Sequence, residues 1–295
     1  MTPKQHSPVR RRIALAFALP LAMFSSLAPA DLGRPDVRIG WTAWSDAEAV
    51  SKLTALTLGG VGLDVELTLA NIQAQYRGLA EQNLDLMLMS WQPHTHGSYL
   101  ERYGDELEDL GVLYDGTSMG LAVPDYVDDS IRTIADLAEH AERFDGVITG
   151  IDPEAGLMAD TREAMEHYGL DAFELTESSG PAMTLALGEA FEEERPIVVT
   201  AWRPHRKWAA YDLRYLEDPD GIFPEEEAVH AMARQGLREE QPQVAAFIGR
   251  MEFELDDLEA LMAAAAEQGH RTAIRDWLNA NQQRVTAWLQ GDGTQ

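Results

Sequence analysis

Cysteine is absent from all 295 residues, which excludes disulfides, thiolate metal sites and a lipid-modified N-terminal cysteine. Basic residues are scarce as well: 23 Lys and Arg stand against 50 Asp and Glu, a net charge of −27. Binding nucleic acid or an anionic membrane surface requires a basic patch, so no nucleic-acid partner is expected. No apolar run reaches the about 20 residues of a spanning helix. The HExxH pattern of zinc hydrolases does not occur. Neither a Gly/Ser linker nor a repeat of fixed short period divides the chain.

What is present begins with Arg10, Arg11 and Arg12, an almost wholly apolar segment from Ile13 to Phe24, and small residues ending Ala28-Pro29-Ala30. That order is expected of a secretory signal peptide, residues 1–30, cut after Ala30. The mature chain is then a soluble protein of the periplasm of a Gram-negative cell. Removing Lys4 and the three arginines leaves 19 bases against 50 acids, a net charge of −31. Clusters such as Glu192-Glu193-Glu194 and Glu225-Glu226-Glu227 read as a solvated acidic surface, suited to a saline medium.

From residue 36 to about 216, short apolar runs alternate with longer amphipathic stretches, the pattern of an α/β fold. Strands are predicted at 37–40, 64–69, 84–90, 119–123, 147–151, 173–176 and 197–201, and only helices from Pro224 onward. Ser45 and Glu48 form a predicted capping box for a helix ended by Gly59-Gly60. The expected organisation is two lobes joined by crossovers at 120–130 and 213–221. Lobe 1 comprises 31–122 and a C-terminal helical part, 217–295, and lobe 2 comprises 123–216.

Ligands of open α/β sheets bind beyond the carboxyl ends of the strands. Trp44 follows the first predicted strand, Trp91 closes the third and Trp202 the last, while Gly150-Ile151 ends the run before "DPEAG". Two of these share a motif: Trp-x-Pro-His in "SWQPHTHG" returns 111 residues later in "AWRPHRKW". Each proline there is expected to direct the start of a helix.

Two chemistries fit these residues. His94, His96 and His205 offer three nitrogen ligands, as in a metal-binding transport protein or an exported metal-dependent hydrolase. Alternatively, His94 and His205 satisfy backbone groups, and the three tryptophans form an aromatic cage. A quaternary ammonium has charge but no N–H, so indole faces hold it where hydrogen bonds cannot, at roughly 0.5–2 kcal/mol per contact. A carboxylate at the ligand's other end would take the backbone N–H groups of Gly150 and Ile151 and the ring of His96. Trp41 is assigned to core or pocket wall, and Trp208, Trp277 and Trp288 to helix packing.

The segments "WSDAEA", "SWQPHTHG", "GIDPEAGLM", "IVVTAWRPHRKW", "DLRYLEDPDGIF" and "EEEAVHAMARQGL" resemble, in order, the glycine betaine and proline betaine binding proteins of osmoprotectant ABC transporters. The resemblance implies a two-lobed periplasmic-binding-protein fold, type II-like, with the ligand cleft between the lobes and no enzymatic activity, cofactor or metal. It implies a cage of Trp44, Trp91 and Trp202 for the trimethylammonium group, with His96 and the Gly150-Ile151 backbone on the carboxylate. The expected partners are glycine betaine, proline betaine or a choline-like compound and the membrane permease, bound by a monomer. Glu154 departs from the family's usual glycine and is expected at a loop surface. Arg203 and Arg206 flank Trp202 and are expected to pair with acids, or to contact the carboxylate or the transporter.

Overall fold

The computed structural model describes residues 35–291, so the expected signal peptide lies outside the described residues. Ten strands occur in chain order: β1 (Val37–Trp41), β2 (Val65–Leu69), β3 (Leu86–Gln92), β4 (Leu107–Tyr114), β5 (Ser118–Pro124), β6 (Val147–Thr149), β7 (Glu174–Thr176), β8 (Val198–Arg203), β9 (Leu213–Tyr215) and β10 (Ala228–Arg234). They form two five-stranded sheets, β2-β1-β3-β10-β4 and β7-β6-β8-β5-β9. Seven strands match the predicted ones to within two residues at every end; β4, β9 and β10 are additional.

The sheets share one plan. Three parallel strands, β2-β1-β3 in the first and β7-β6-β8 in the second, are followed by an antiparallel strand, β10 or β5. Trp91 on β3 pairs with Val229 of β10, and Trp202 on β8 pairs with Met119 of β5. The repeated Trp-x-Pro-His therefore marks equivalent points in two sheets. Hydrophobic burial explains the strands themselves: β3 runs "LMLMSW" with all six residues buried, as a strand covered on both faces requires.

The chain departs from expectation in four places. It leaves the first sheet after Tyr114, and Ser118–Pro124 is already a strand of the second, so the crossing precedes 120–130. Residues beyond Pro224 are not only helical, because β10 returns to the middle of the first sheet. Ser45 is the first helical residue rather than the cap; Trp44 is the cap, and no side chain caps this end of helix Ser45–Gly60. Glu48 pairs instead with Lys52, four residues on. Lastly, Pro93 and Pro204 follow cis peptide bonds, and the next helices begin only at Gly97 and Lys207.

Five C-terminal helices complete the fold, from Leu237–Glu240 to Gln282–Gln290. Leu255–Gln268 and His270–Ala280 pack on helix Ser45–Gly60. Trp277 and Trp288 stack with centroids 5.9 Å apart beside Phe253, giving these helices an aromatic core. Helix Ser45–Gly60 is thereby held from behind, and its first turn fixes the position of Trp44.

Candidate functional site

Between the carboxyl ends of the two sheets lies a cavity with an empty volume of about 270 Å³. A cavity this small suits a molecule of few heavy atoms. Trp44, Trp91 and His96 line it from the side of the first sheet, and Ile151 and Trp202 from that of the second. Thr95, Met119, Ala155, Gly156 and Leu157 complete the wall. Five of the six sequence-predicted ligand residues thus meet in one place, and Gly150 is not in the lining. Trp41 is also outside it, lying beneath the Lys52 ammonium at 5.1 Å.

Trp44 and Trp202 stand edge to face, centroids 6.3 Å apart at 62°. Their polar edges are used elsewhere: Trp44 Nε1 donates to Asp152 Oδ2 at 2.9 Å, and Trp202 Nε1 to Asp46 Oδ1 at 3.1 Å. Asp46, wholly buried, also accepts from Tyr114 Oη at 2.8 Å. Fixing each N–H leaves ring carbon to face the cavity, which is what cation–π contact needs. Lys207 is the residue that sequence reasoning missed here. Its buried Nζ lies 4.1 Å from the Trp202 centroid and has no hydrogen-bond partner. Burial pushes its pKa well below the usual value and raises that of Asp46.

His96 is the polar element of the cavity. Its Nδ1 accepts the Trp91 backbone N–H at 3.0 Å, so the ring proton sits on Nε2. Burial lowers its pKa to about 3, keeping the ring neutral. Nε2 is buried without a partner, leaving one N–H donor unsatisfied in an otherwise apolar wall. The Ile151 N–H meets only Met158 Sδ at 3.2 Å, a weak acceptor. Gly150 differs, because its N–H is engaged by the Thr176 carbonyl at 3.1 Å. A Cβ there would lie 2.6 Å from both Met158 Sδ and Thr176 O, so glycine is required by packing behind the site.

The three histidines considered as metal ligands do not form one site. His96 faces Trp91, His205 Nδ1 accepts the Lys207 N–H at 2.9 Å, and His94 Nε2 pairs with Asp160 Oδ1 at 3.2 Å. Among the described residues no group of three or more His, Asp or Glu is placed to hold a metal ion. The expectation of backbone support therefore fits His205 but not His94, whose ring is half exposed. Buried Glu227 supports that loop, accepting the N–H groups of His94 and Thr95 at 2.7 and 2.9 Å and the Thr95 hydroxyl. Arg203 lies over the Trp208 ring at 4.4 Å rather than against an acid, and Arg206 donates its backbone N–H to Ser45 Oγ. Glu154 is partly buried, with its carbonyl accepting from Tyr99 Oη at 2.8 Å.

His94, in the loop after β3, and Asp160, in helix Gly156–His167, join the two lobes. Burial raises the Asp160 carboxyl from 3.8 to about 6, so the folded chain binds this proton more tightly than the unfolded one. The resulting stabilisation is complete below about pH 4 and is lost as pH rises through 6. Asp160→Asn removes a buried charge while keeping an acceptor for His94. It should therefore raise the melting temperature at pH 8 by a few degrees more than at pH 4. Equal shifts at both pH values in thermal melts would refute this.

The lobes touch without intervening space at Gly156, the first residue of helix Gly156–His167. A Cβ on Gly156 would lie 2.1 Å from the Thr95 carbonyl oxygen. With Trp44–Asp152, Trp202–Asp46, Tyr99–Glu154 and His94–Asp160, this contact makes the conformation a closed one.

Residues 35–280 match the family described as the substrate binding domain of an ABC-type glycine betaine transport system, OpuAC. The chain belongs to this family. It is 33% identical over 153 residues to the glycine betaine/carnitine transport binding protein GbuC of Listeria monocytogenes, covering 51% of each protein, so it spans about half the length of that relative. Among solved structures, lactococcal OpuAC in its closed-liganded conformation with glycine betaine aligns with a TM-score of 0.81 and 30% identity, over 86% of this chain and 99% of that one. An ABC-transporter choline binding protein in complex with choline aligns at 0.79 and 26%, over 88% and 93%. The OpuAC family consists of transport binding proteins rather than enzymes, working outside the cytoplasm, and its two-lobed fold is the one found here. No helix among the described residues is long and apolar enough to cross a membrane.

Proposed function

We propose that this chain captures glycine betaine, or a close carboxylate-bearing relative such as proline betaine, and delivers it to the permease of an ABC transporter. It acts as a monomer, free in the periplasm after cleavage of residues 1–30. Its lobes divide at 115–117 and 216–227, where the chain passes between the sheets. One observation carries the ligand assignment: three indoles surround a small cavity whose unsatisfied polar group is the neutral N–H of His96. Three faces at roughly 0.5–2 kcal/mol each, with apolar burial, supply much of the about 8 kcal/mol of a micromolar complex. The His96 N–H, with Ile151 N–H exchanging its sulfur for oxygen, then receives the carboxylate. The ABC-transporter match and the glycine betaine complex of lactococcal OpuAC support the same reading.

Calorimetry on purified protein tests it: saturable heat with glycine betaine is expected. No heat with glycine betaine, proline betaine, choline or carnitine would sink the assignment. The role of His96 has its own test, because choline has no carboxylate. His96→Ala should weaken glycine betaine about tenfold or more, the scale of one hydrogen bond to a charged group, and change choline by less than threefold. Equal losses for both ligands would mean that His96 acts only by holding the Trp91 backbone.

A further inference from the structure

An indole can turn about two side-chain bonds, so a cage of indoles needs something to set ring planes. Trp91 lies within β3, whose strand pairing fixes its backbone. Trp44 lies outside any strand, at the end of helix Ser45–Gly60. Its N–H is bound by Asp152, 108 residues away, in the segment after β6 of the second sheet. Gly180, also of the second lobe, approaches the same ring, where a Cβ would lie 3.3 Å from Trp44 Cδ1. The arrangement recurs with the lobes exchanged, since Trp202 of β8 is bound by Asp46 of the first lobe. In each case the ring and its acceptor move apart when the lobes separate.

We propose that Asp152 is a positioning residue that makes lobe closure and cage assembly a single event. With the lobes apart, the Trp44 N–H is hydrated and the ring is free to turn. As they close, the carboxylate takes the N–H, fixes the ring plane and sets a negative group beside the cavity. The ligand cation then finds a Trp44 face that the open protein does not present, so affinity is greatest in the closed state and closure is favoured by the cation. Asp152 does not line the cavity and acts through Trp44. The proposal rests on the reading of this cleft as a quaternary-ammonium site.

The test uses full-length mature protein labelled with ¹⁵N at tryptophan, with the Trp44 indole resonance assigned by its loss in Trp44→Phe. With both proteins saturated with glycine betaine, the Trp44 N–H resonance of Asp152→Ala should lie away from its wild-type position while those of Trp277 and Trp288 stay. Glycine betaine affinity should fall at least tenfold. Asp152→Asn, which keeps an acceptor oxygen but no charge, should lose about threefold. A role for Asp152 confined to its own loop would leave the Trp44 resonance in place, and that result overturns the proposal, as does unchanged affinity in Asp152→Ala. If wild-type protein gives no heat with betaine, the assignment of function falls; heat with betaine together with an unmoved Trp44 resonance in betaine-saturated Asp152→Ala overturns the positioning role alone.

Discussion

Trp202→Ala should weaken glycine betaine binding at least tenfold, measured by calorimetry on protein whose circular dichroism matches wild type. Three losses act together. One of the cage's ring faces disappears, worth up to about 2 kcal/mol in a dry site. The space left behind admits water next to the ammonium, which lowers the value of the remaining faces. Asp46 Oδ1, buried and bound by the Trp202 N–H, loses its partner at a cost of about 1–3 kcal/mol. Trp202→Phe separates these effects in part, because it keeps a smaller π face and removes the N–H. Its affinity should fall between those of wild type and Trp202→Ala. If Trp202→Ala binds as tightly as wild type, Trp202 is not part of the cage.

Why these tryptophans were legible in the sequence, and other parts were not, follows from how each signal is written. Trp91 and Trp202 terminate short continuous apolar runs, the pattern of a strand covered on both faces. The equivalent sheet positions then repeat the same local chemistry, visible as Trp-x-Pro-His. β4 carries the opposite kind of signal. Its buried leucines, Leu107, Leu110 and Leu113, recur every three residues, a helical spacing. The structure accommodates that spacing by shifting register against β10 at two points, with Gly111 at φ 126° between them. Bulges restore the facing of side chains that alternation alone would misplace. β10, "AVHAMAR", is rich in alanine and lacks strand preference of its own, so only its neighbours on both sides make it a strand.

The candidate site shows the same division. Residue type announced the indoles, and the pairing of Nδ1 with a backbone N–H, which selects His96 over His94, is a matter of fold. Gly150 was chosen for close main-chain approach, and close approach is indeed present, but by Thr176 and Met158. Nothing in the spacing of residues distinguishes those partners from a ligand. Asp46 and Asp152 lie far in sequence from the rings they meet, so no local pattern could assign them.

Gly156→Val should abolish measurable betaine binding without unfolding the protein. Gly156 is not among the glycines with positive φ and opens a helix, so a side chain is conformationally allowed there. The obstacle is the other lobe: a Cβ would lie 2.1 Å from Thr95 O and 2.9 Å from Thr95 C. Both are backbone atoms of a loop held by Glu227, and such a loop cannot yield by turning a side chain. The clash exists only when the lobes meet, so the substitution penalises the closed state and leaves the open one intact. A penalty of about 3 kcal/mol on closure lowers apparent affinity by about a hundredfold, because the ligand must supply it. Thermal melts without ligand should change little, while small-angle scattering at saturating betaine should show wild type compacting and the variant not. Even Gly156→Ala places the offending atom, so it should share most of the loss. A variant that compacts with betaine as wild type does would show that the Thr95 loop moves aside, and that closure does not depend on this contact.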